Sequence, residues 1–299
     1  MGHDAVIETE GFSKRFGRRM AVDNLKLSVP RGSVFAFLGK NGAGKTTAIR
    51  MLMNMLDRTS GQASVLGLDC RRDMLEIRRR IGFVAEGQVM YEWMSIDEII
   101  WFCKGFYPGW DDAYAAEMKV KLELDGHQKV RNLSHGQQAK LALLLSMAYR
   151  PELLILDEPT TGLDVVVRRN FLEGVIELIQ EEGRTVFFSS HLVHEVERVA
   201  DWVGFIDKGR MVCCAPMEEL KGNVRRLTLT FETMPNGLHE RIPDVLRVDP
   251  AGRQASVIVR RFSAETIAAV QALKPSHIDV ADLGLEDIFV ALVGNSEEA

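Results

Sequence analysis

The segment from Gly39 to Thr46 combines a glycine-rich turn with a lysine and a threonine. It reads GKNGAGKT and matches the pattern G-x-x-x-x-G-K-[ST]. An apolar run from Ser33 to Leu38 precedes it and apolar residues at helical spacing follow it, so we predict a strand, a loop and a helix from Lys45 to Leu56. Amides at a helix N-terminus bind phosphate oxygens, and Lys45 and the Thr46 hydroxyl suit a phosphate and Mg²⁺. The alternative is a plain glycine-rich turn.

Two carboxylates follow a second apolar run. Asp157 and Glu158 come directly after Leu153 to Leu156, which we predict to be a buried central strand. Ligands of α/β sheets bind at the carboxyl ends of the strands. We therefore expect Asp157 to hold Mg²⁺ through water and Glu158 to orient the water that attacks a γ-phosphate.

A third segment, Leu133 to Gln137, reads LSHGQ and precedes a helix-period run from Leu141 to Ala148. Ser134 and the Gly136 amide then lie at a helix N-terminus, which is a second candidate anion site. A simple serine cap is the alternative.

Together with Thr161 to Asp164 and Ser190-His191, these segments have the order and spacing of an ABC transporter ATP-binding subunit, which residues 5–220 resemble. The resemblance implies an α/β P-loop NTPase fold with a RecA-like mixed sheet core, and it implies ATP and Mg²⁺ as ligands. Glu158, His191 and Lys45 would be catalytic, with His191 contacting the γ-phosphate, while Phe16 would stack on adenine. The other nucleotide-binding positions implied are Gly39, Asn41, Gly42, Gly44, Thr46, Thr47, Ser134, Gly136 and Gln137, and the Mg²⁺ ligands implied are Thr46, Glu86 and Asp157. Without the resemblance, Phe16 is more simply a core aromatic and His191 a helix cap.

Two positions depart from the family pattern. His135 replaces the first glycine of the usual LSGGQ, but Ser134 and Gly136 remain, so nucleotide binding is expected to be kept. Glu86 replaces the usual glutamine after the strand at Ile81, as in many drug- and lipid-export-type subunits, and its carboxylate could ligate Mg²⁺. Gln88 is the alternative candidate for the glutamine's role.

Changes in residue composition and in helix and strand patterns along the sequence predict three regions. Residues 1–221 would form the ATPase domain, with a helical insert at about residues 87–150. Residues 222–299 would form a small α+β appendage, with strands near 226–231, 255–261 and 278–281 and helices at 264–273 and 285–293. The run from Val89 to Met94 lies where the family docks a membrane partner, and burial within the helical insert is the alternative.

Composition excludes several functions. The 299 residues include 37 Lys and Arg against 42 Asp and Glu, a net charge of −5, so we expect no nucleic-acid partner. No apolar run approaches the roughly 18 residues of a membrane span. The first ten residues lack the apolar core of a secretory signal, and the four cysteines lack metal-site spacing, which favours the cytoplasm.

These observations predict an ATPase bound to the cytoplasmic face of the cell membrane through a separate permease subunit. Two ATPs would lie between two copies of the chain, or between the chain and a second ATP-binding subunit, each held by Lys45 and Thr46 of one and Ser134 and Gly136 of the other. Glu86 and the appendage favour export. The alternatives are an importer subunit, a soluble ABC-type mechanoenzyme and a P-loop small-molecule kinase.

Overall fold

The computed structural model describes residues 4–164, 167–168, 171–172, 174 and 183–294. The chain forms two compact units, Met1–Met211 and Val212–Ala299. The sequence placed this division later, between residues 221 and 222. The second unit therefore takes in a short helix, Met217–Asn223, that precedes its first complete strand.

The first unit is built from two sheets and a set of helices. Its strands are β1 (Ala5–Phe16), β2 (Arg19–Pro30), β3 (Val34–Leu38), β4 (Ser60–Val65), β5 (Leu68–Asp69), β6 (Ile81–Val84), β7 (Leu153–Leu156), β8 (Thr185–Ser190) and β9 (Trp202–Asp207), while β10 (Arg210–Pro216) crosses the boundary between the units. Its helices are α1 (Lys45–Leu52), α2 (Met74–Arg80), α3 (Ile96–Lys104), α4 (Asp112–Lys121), α5 (His135–Met147) and α6 (Val193–Val196).

The central sheet has the strand order β10-β9-β3-β8-β7-β6, and β9, β3, β8, β7 and β6 run parallel. All residues of β3, β7 and β8 are buried, as expected for central strands of a parallel sheet. Because β8 lies between β3 and β7, the loops that follow these three strands meet at one edge. This confirms the predicted α/β core, and it brings the glycine-rich loop, the two carboxylates and His191 together.

The antiparallel sheet, in the order β2-β1-β4-β5, packs with α1 around one hydrophobic core. The predicted helix from Lys45 to Leu56 is wrong at its end, since α1 stops at Leu52. Asn54 takes a left-handed conformation with φ 50°, and the Met55 amide donates to the Arg50 carbonyl. Such a capping arrangement satisfies the last carbonyls and prevents further helical turns.

Residues 87–150 hold three helices separated by loops. They contain α3, α4, α5 and a 3-10 turn at Val130–Asn132, and their one β-bridge joins Ser95 to Lys129. A capping box at Ser95 and Glu98 fixes the start of α3.

The second unit is a four-stranded antiparallel sheet with helices. Its strands are β11 (Arg225–Thr230), β12 (Val245–Ala251), β13 (Gln254–Val259) and β14 (His277–Asp282), in the order β12-β13-β11-β14. Its helices are α7 (Met217–Asn223), α8 (Leu238–Arg241), α9 (Ala264–Ala272) and α10 (Leu285–Gly294). Leu227, Leu229, Val257 and Val270 are among its core residues. Within the described ranges of both units, no helix is long and apolar enough to span a bilayer.

Candidate active site

Close packing makes glycine necessary at both ends of the loop between β3 and α1. A Cβ at Gly39 would lie 2.4 Å from the Ile206 carbonyl oxygen, and one at Gly44 would lie 2.5 Å from the Ala21 carbonyl oxygen. Gly44 also has φ 112°, which side chains rarely adopt, and it is the N-cap of α1. The loop therefore leads into a helix N-terminus whose first amides have no helical acceptor, which is a suitable arrangement for phosphate oxygens.

A cleft of about 530 Å³ lies beside this loop. It is lined by Phe16, Arg19, Ala21, Asn41, Gly42, Gly44, Lys45, Thr46, Thr47, Glu86 and Glu158. Most of the predicted nucleotide-binding residues of the first unit thus share one cavity. Sequence reasoning missed Arg19 and Ala21, although their position just after Phe16 in the β1–β2 hairpin was a usable signal.

Lys45, Glu158 and His191 form one charged cluster. The Lys45 ammonium donates to the Gly39 carbonyl at 2.7 Å and lies 3.0 Å from Glu158 Oε1. The other carboxylate oxygen, Oε2, lies 2.8 Å from His191 Nδ1. Lys45 and Glu158 are 5% and 7% exposed, so each needs the other to offset its loss of hydration. The interpretation of His191 as only a helix cap is therefore insufficient.

Asp157 has hydrogen-bond donors but no ion-pair partner among the described residues. Its Oδ1 accepts from Ser189 Oγ at 2.8 Å and from Thr46 Oγ1 at 3.2 Å. Burial raises the pKa of this carboxyl above its usual value, the two hydrogen bonds oppose that rise, and the charges of Glu86 and Glu158 add to it. The site thus holds excess negative charge.

Such a donor set fits Mg²⁺. The ion takes oxygen ligands, commonly one or two carboxylates together with phosphate oxygens and waters. The Thr46 hydroxyl and the Asp157 carboxylate are adjacent, and Glu86 lines the same cleft. Over the described ranges, no group of three or more His, Cys, Asp or Glu side chains is arranged to hold a metal without other ligands.

Ser189 is the residue that links the two acids, and sequence reasoning missed it. It is fully buried, and its hydroxyl accepts from the Glu158 amide at 2.8 Å while it donates to Asp157. Glu158 itself has φ 48°, an uncommon backbone conformation for a residue other than glycine. A polar residue at the buried end of β8 was the available signal.

Phe16 is 49% exposed, so it is not a core aromatic. The Lys14 ammonium lies 5.0 Å from its ring centroid and donates a hydrogen bond to the Asp57 carbonyl. A cation held in this way fixes the ring while about half of the Phe16 surface remains available for a base to stack on.

The LSHGQ segment does not line this cleft. Ser134 is the N-cap of α5: its hydroxyl accepts from the Gln137 amide at 3.2 Å, and the Gln137 side chain accepts from the Ser134 amide at 3.0 Å. Ser134 and Gln137 thus form a complete capping box, as the simpler interpretation expected. Gly136 is required locally, because a Cβ there would lie 2.9 Å from Val167 Cγ1.

The two departures from the family pattern line two different pockets, and both pockets include Glu158. Glu86 lines the large cleft, whereas Gln88 and His135 line a smaller neighbouring pocket, and Glu158 lines both. Only Glu86, and not Gln88, is therefore placed beside the phosphate loop.

Comparison with known proteins agrees with this geometry. The family model for "ABC transporter" matches residues 22–161. The bacitracin transport ATP-binding protein of Bacillus licheniformis is 30% identical over 97% of both chains, and the ABC transporter ATP-binding protein YtrB of Bacillus subtilis is 27% identical over 97% of this chain and 98% of its own. A solved ATP-binding subunit of an ABC transporter shares the fold at 21% identity, with a TM-score of 0.64 over 73% of this chain and 92% of its own. The chain belongs to the family of ABC transporter ATP-binding proteins, and it is an ATP-binding ATPase subunit.

Proposed function

We propose that the chain hydrolyses Mg²⁺-ATP in the cleft beside Gly39–Thr46, as one half of a dimer that drives export through a separate permease. One observation carries this proposal. Lys45, Thr46, Asp157, Glu158 and His191 converge at one edge of the central sheet, whereas the second phosphate-binding motif of the chain lies outside their cleft.

The charged cluster suits in-line attack by water on a γ-phosphate. Lys45 would bind the β- and γ-phosphates, and a phosphate that takes its ammonium competes with Glu158, whose carboxylate then becomes available to orient the attacking water and accept its proton. His191, hydrogen-bonded to Glu158, would contact the γ-phosphate from the other side. Mg²⁺, held by Thr46, Asp157 and Glu86, would offset the charge that develops on the phosphate oxygens.

The remaining lining residues would bind the rest of the nucleotide. Adenine would stack on the exposed ring of Phe16. The amides of Asn41, Gly42, Gly44 and Thr47 would surround the phosphates at the start of α1.

A dimer would complete the site. ATP carries about four negative charges, and among the described residues that line the cleft the cations are Lys45 and Arg19. Ser134 and Gly136 of a second copy, or of a second ATP-binding subunit, would supply a helix N-terminus to the same phosphates. One structural neighbour of this fold, an ATP-binding cassette, was solved as a dimer in a post-hydrolysis state bound to ADP and Pi, and it shares 20% identity with a TM-score of 0.62.

An exposed aromatic surface on the helical insert would bind the permease and so hold the chain at the cytoplasmic face of the membrane. Val89, Tyr91 and Trp93 are 92%, 50% and 65% exposed, which contradicts their burial within the insert. The Tyr91 ring lies 5.9 Å from the ring of Trp93 and 5.5 Å from that of Phe102 on α3, between ring centroids. Aromatic side chains fixed at a surface in this way are typical of protein interfaces.

The named relatives favour export of toxic compounds. Besides the bacitracin transport protein, they include a linearmycin resistance ATP-binding protein of Bacillus subtilis, which is 28% identical over 97% of this chain. An importer would have the same motifs, so the proposal of export is based on the names of these relatives and on Glu86.

The test uses Glu158→Gln, which keeps the shape of the side chain and removes its charge. We expect Mg²⁺-ATP binding to persist, hydrolysis to fall by at least about a hundredfold, and ATP to produce a dimer in sizing experiments. Glu123→Gln is the control, since Glu123 is 84% exposed and does not line the cleft. A variant that binds ATP and stays monomeric at high protein concentration would contradict the dimeric site. Lys45→Ala should lose ATP affinity, and undiminished hydrolysis by this variant would contradict the cleft itself.

A further inference from the structure

Arg19 is a cation in the cleft whose side chain has no assigned partner. Its side chain makes no ion pair or hydrogen bond with the described part of the chain, although it lines the same cavity as Phe16 and the phosphate loop. Of the other charged lining residues, Lys45 and Glu158 pair with each other, and Glu86 contributes to the negative charge around Asp157. Among the described lining residues, Arg19 is therefore the cation that no carboxylate of the chain neutralises.

The hairpin places Arg19 at the base end of the cleft. Phe16 and Arg19 are directly paired across the two-residue turn Gly17-Arg18, and Gly17 has φ 56°. Side chains of directly opposed residues leave the sheet on the same face, with Cβ atoms about 5 Å apart. Arg19 thus lies beside the ring that would stack on the base, whereas the proposed function assigns Lys45 and Glu158 to the γ-phosphate.

We propose that Arg19 binds the α-phosphate of the nucleotide and so anchors ATP and ADP equally. This rests on the proposed placement of the nucleotide in this cleft. A guanidinium presents a planar pair of N–H donors that matches two phosphate oxygens. The phosphate next to the ribose is the one within reach of a side chain adjacent to Phe16. Since the contact involves neither the base nor the γ-phosphate, Arg19 should contribute equally to the affinity for ATP, ADP and GTP.

The experiment measures dissociation constants of the full-length chain for Mg²⁺-ATP, Mg²⁺-ADP and Mg²⁺-GTP by calorimetry. Arg19→Ala should weaken all three by a similar factor of about five to twenty, because it removes a charge-assisted contact at a partly exposed site. Arg18→Ala is the matched control: Arg18 is the neighbouring exposed arginine, it does not line the cleft, and its removal should change each constant less than about twofold. Arg19→Lys should retain part of the affinity, since it keeps the charge and loses the bidentate geometry.

Three results would overturn the inference: an unchanged affinity for Arg19→Ala, a loss for ATP that ADP does not share, and a loss for ATP that GTP does not share. The second would place the side chain at the γ-phosphate and the third at the base. Lys45→Ala, measured in parallel, separates this inference from the proposed function. If Lys45→Ala also leaves ATP affinity unchanged, the cleft is not the nucleotide site, and both the proposed function and the role of Arg19 are wrong. If Lys45→Ala abolishes ATP binding, the results for Arg19→Ala test the role of Arg19 alone.

Discussion

Removing the Ser189 hydroxyl should weaken both the fold and the chemistry of the first unit. In Ser189→Ala, the Asp157 carboxylate loses a donor at 2.8 Å and the Glu158 amide loses its acceptor at 2.8 Å, at a position fully closed to water. The bond to the charged group contributes about 1.5–3 kcal/mol and the neutral bond about 1 kcal/mol. We therefore expect the free energy of unfolding to fall by about 2.5–4 kcal/mol.

Urea denaturation followed by tryptophan fluorescence would measure this loss of unfolding free energy in the first unit. All four tryptophans lie in residues 1–211, so their emission reports the first unit without contribution from the second. With an m-value of about 3 kcal/mol/M for a unit of this size, the midpoint should fall by about 1 M. The ATPase rate should fall with it by about tenfold or more, because Glu158 is no longer held in its left-handed conformation.

Ser146→Ala is the matched control. Ser146 is also buried, but its hydroxyl donates only to the Leu143 carbonyl one turn back in α5. Alanine is the better helix former there, so the change should be within about 1 kcal/mol. If Ser189→Ala destabilises the unit no more than Ser146→Ala does, the link between the two acids has no energetic weight and the reasoning is refuted.

Four further predictions concern the proposed metal site, the LSHGQ segment and the exposed aromatic surface. Burial raises the pKa of Asp157 in the folded chain, so around that pKa the folded chain holds more protons than the unfolded chain. In EDTA, the free energy of unfolding should therefore decrease as pH rises from near 4 through the raised pKa. Urea titrations at several pH values should show this decrease, and Asp157→Asn should abolish it. Thr46→Ala should raise the Mg²⁺ concentration for half-maximal ATPase activity by about tenfold, and an unchanged requirement would remove Thr46 from the metal site. Gly136→Ala should lower ATPase activity, because the added methyl group would lie 2.9 Å from Val167 Cγ1 and one of the two must move. Adding Val167→Ala should restore most of the activity. If it restores none, this clash is not the cause of the loss. Trp93→Ser should leave ATP binding intact and weaken co-purification with the proposed permease subunit, and undiminished co-purification would exclude the aromatic surface as the docking site.

Features encoded in local pattern were predictable from the sequence. The apolar runs of β3 and β7 identified the central strands, and the glycine loop identified the helix start that they position. Topology then brings the loop and the acids together, because parallel strands end at a common edge.

What depends on tertiary pairing was missed. Strand β12 contains Arg247, Asp249 and Pro250, and it is held by its neighbour β13 rather than by local β-propensity. β4, with the sequence SGQASV, is similarly weak by itself and is fixed by pairing with β1. Ser189 was missed for another reason: a serine at a strand end is common, and only the three-dimensional order of the strands shows which groups it joins.

The position of β8 has a consequence for turnover. It is hydrogen-bonded to β3 on one side and to β7 on the other, and its terminal hydroxyl ties the two acids together. The loop after β3 and the two acids after β7 therefore cannot move apart without breaking hydrogen bonds between these strands. In the proposed dimer, entry of ATP and release of ADP would then depend on the departure of the surface that covers the cleft from outside the central sheet.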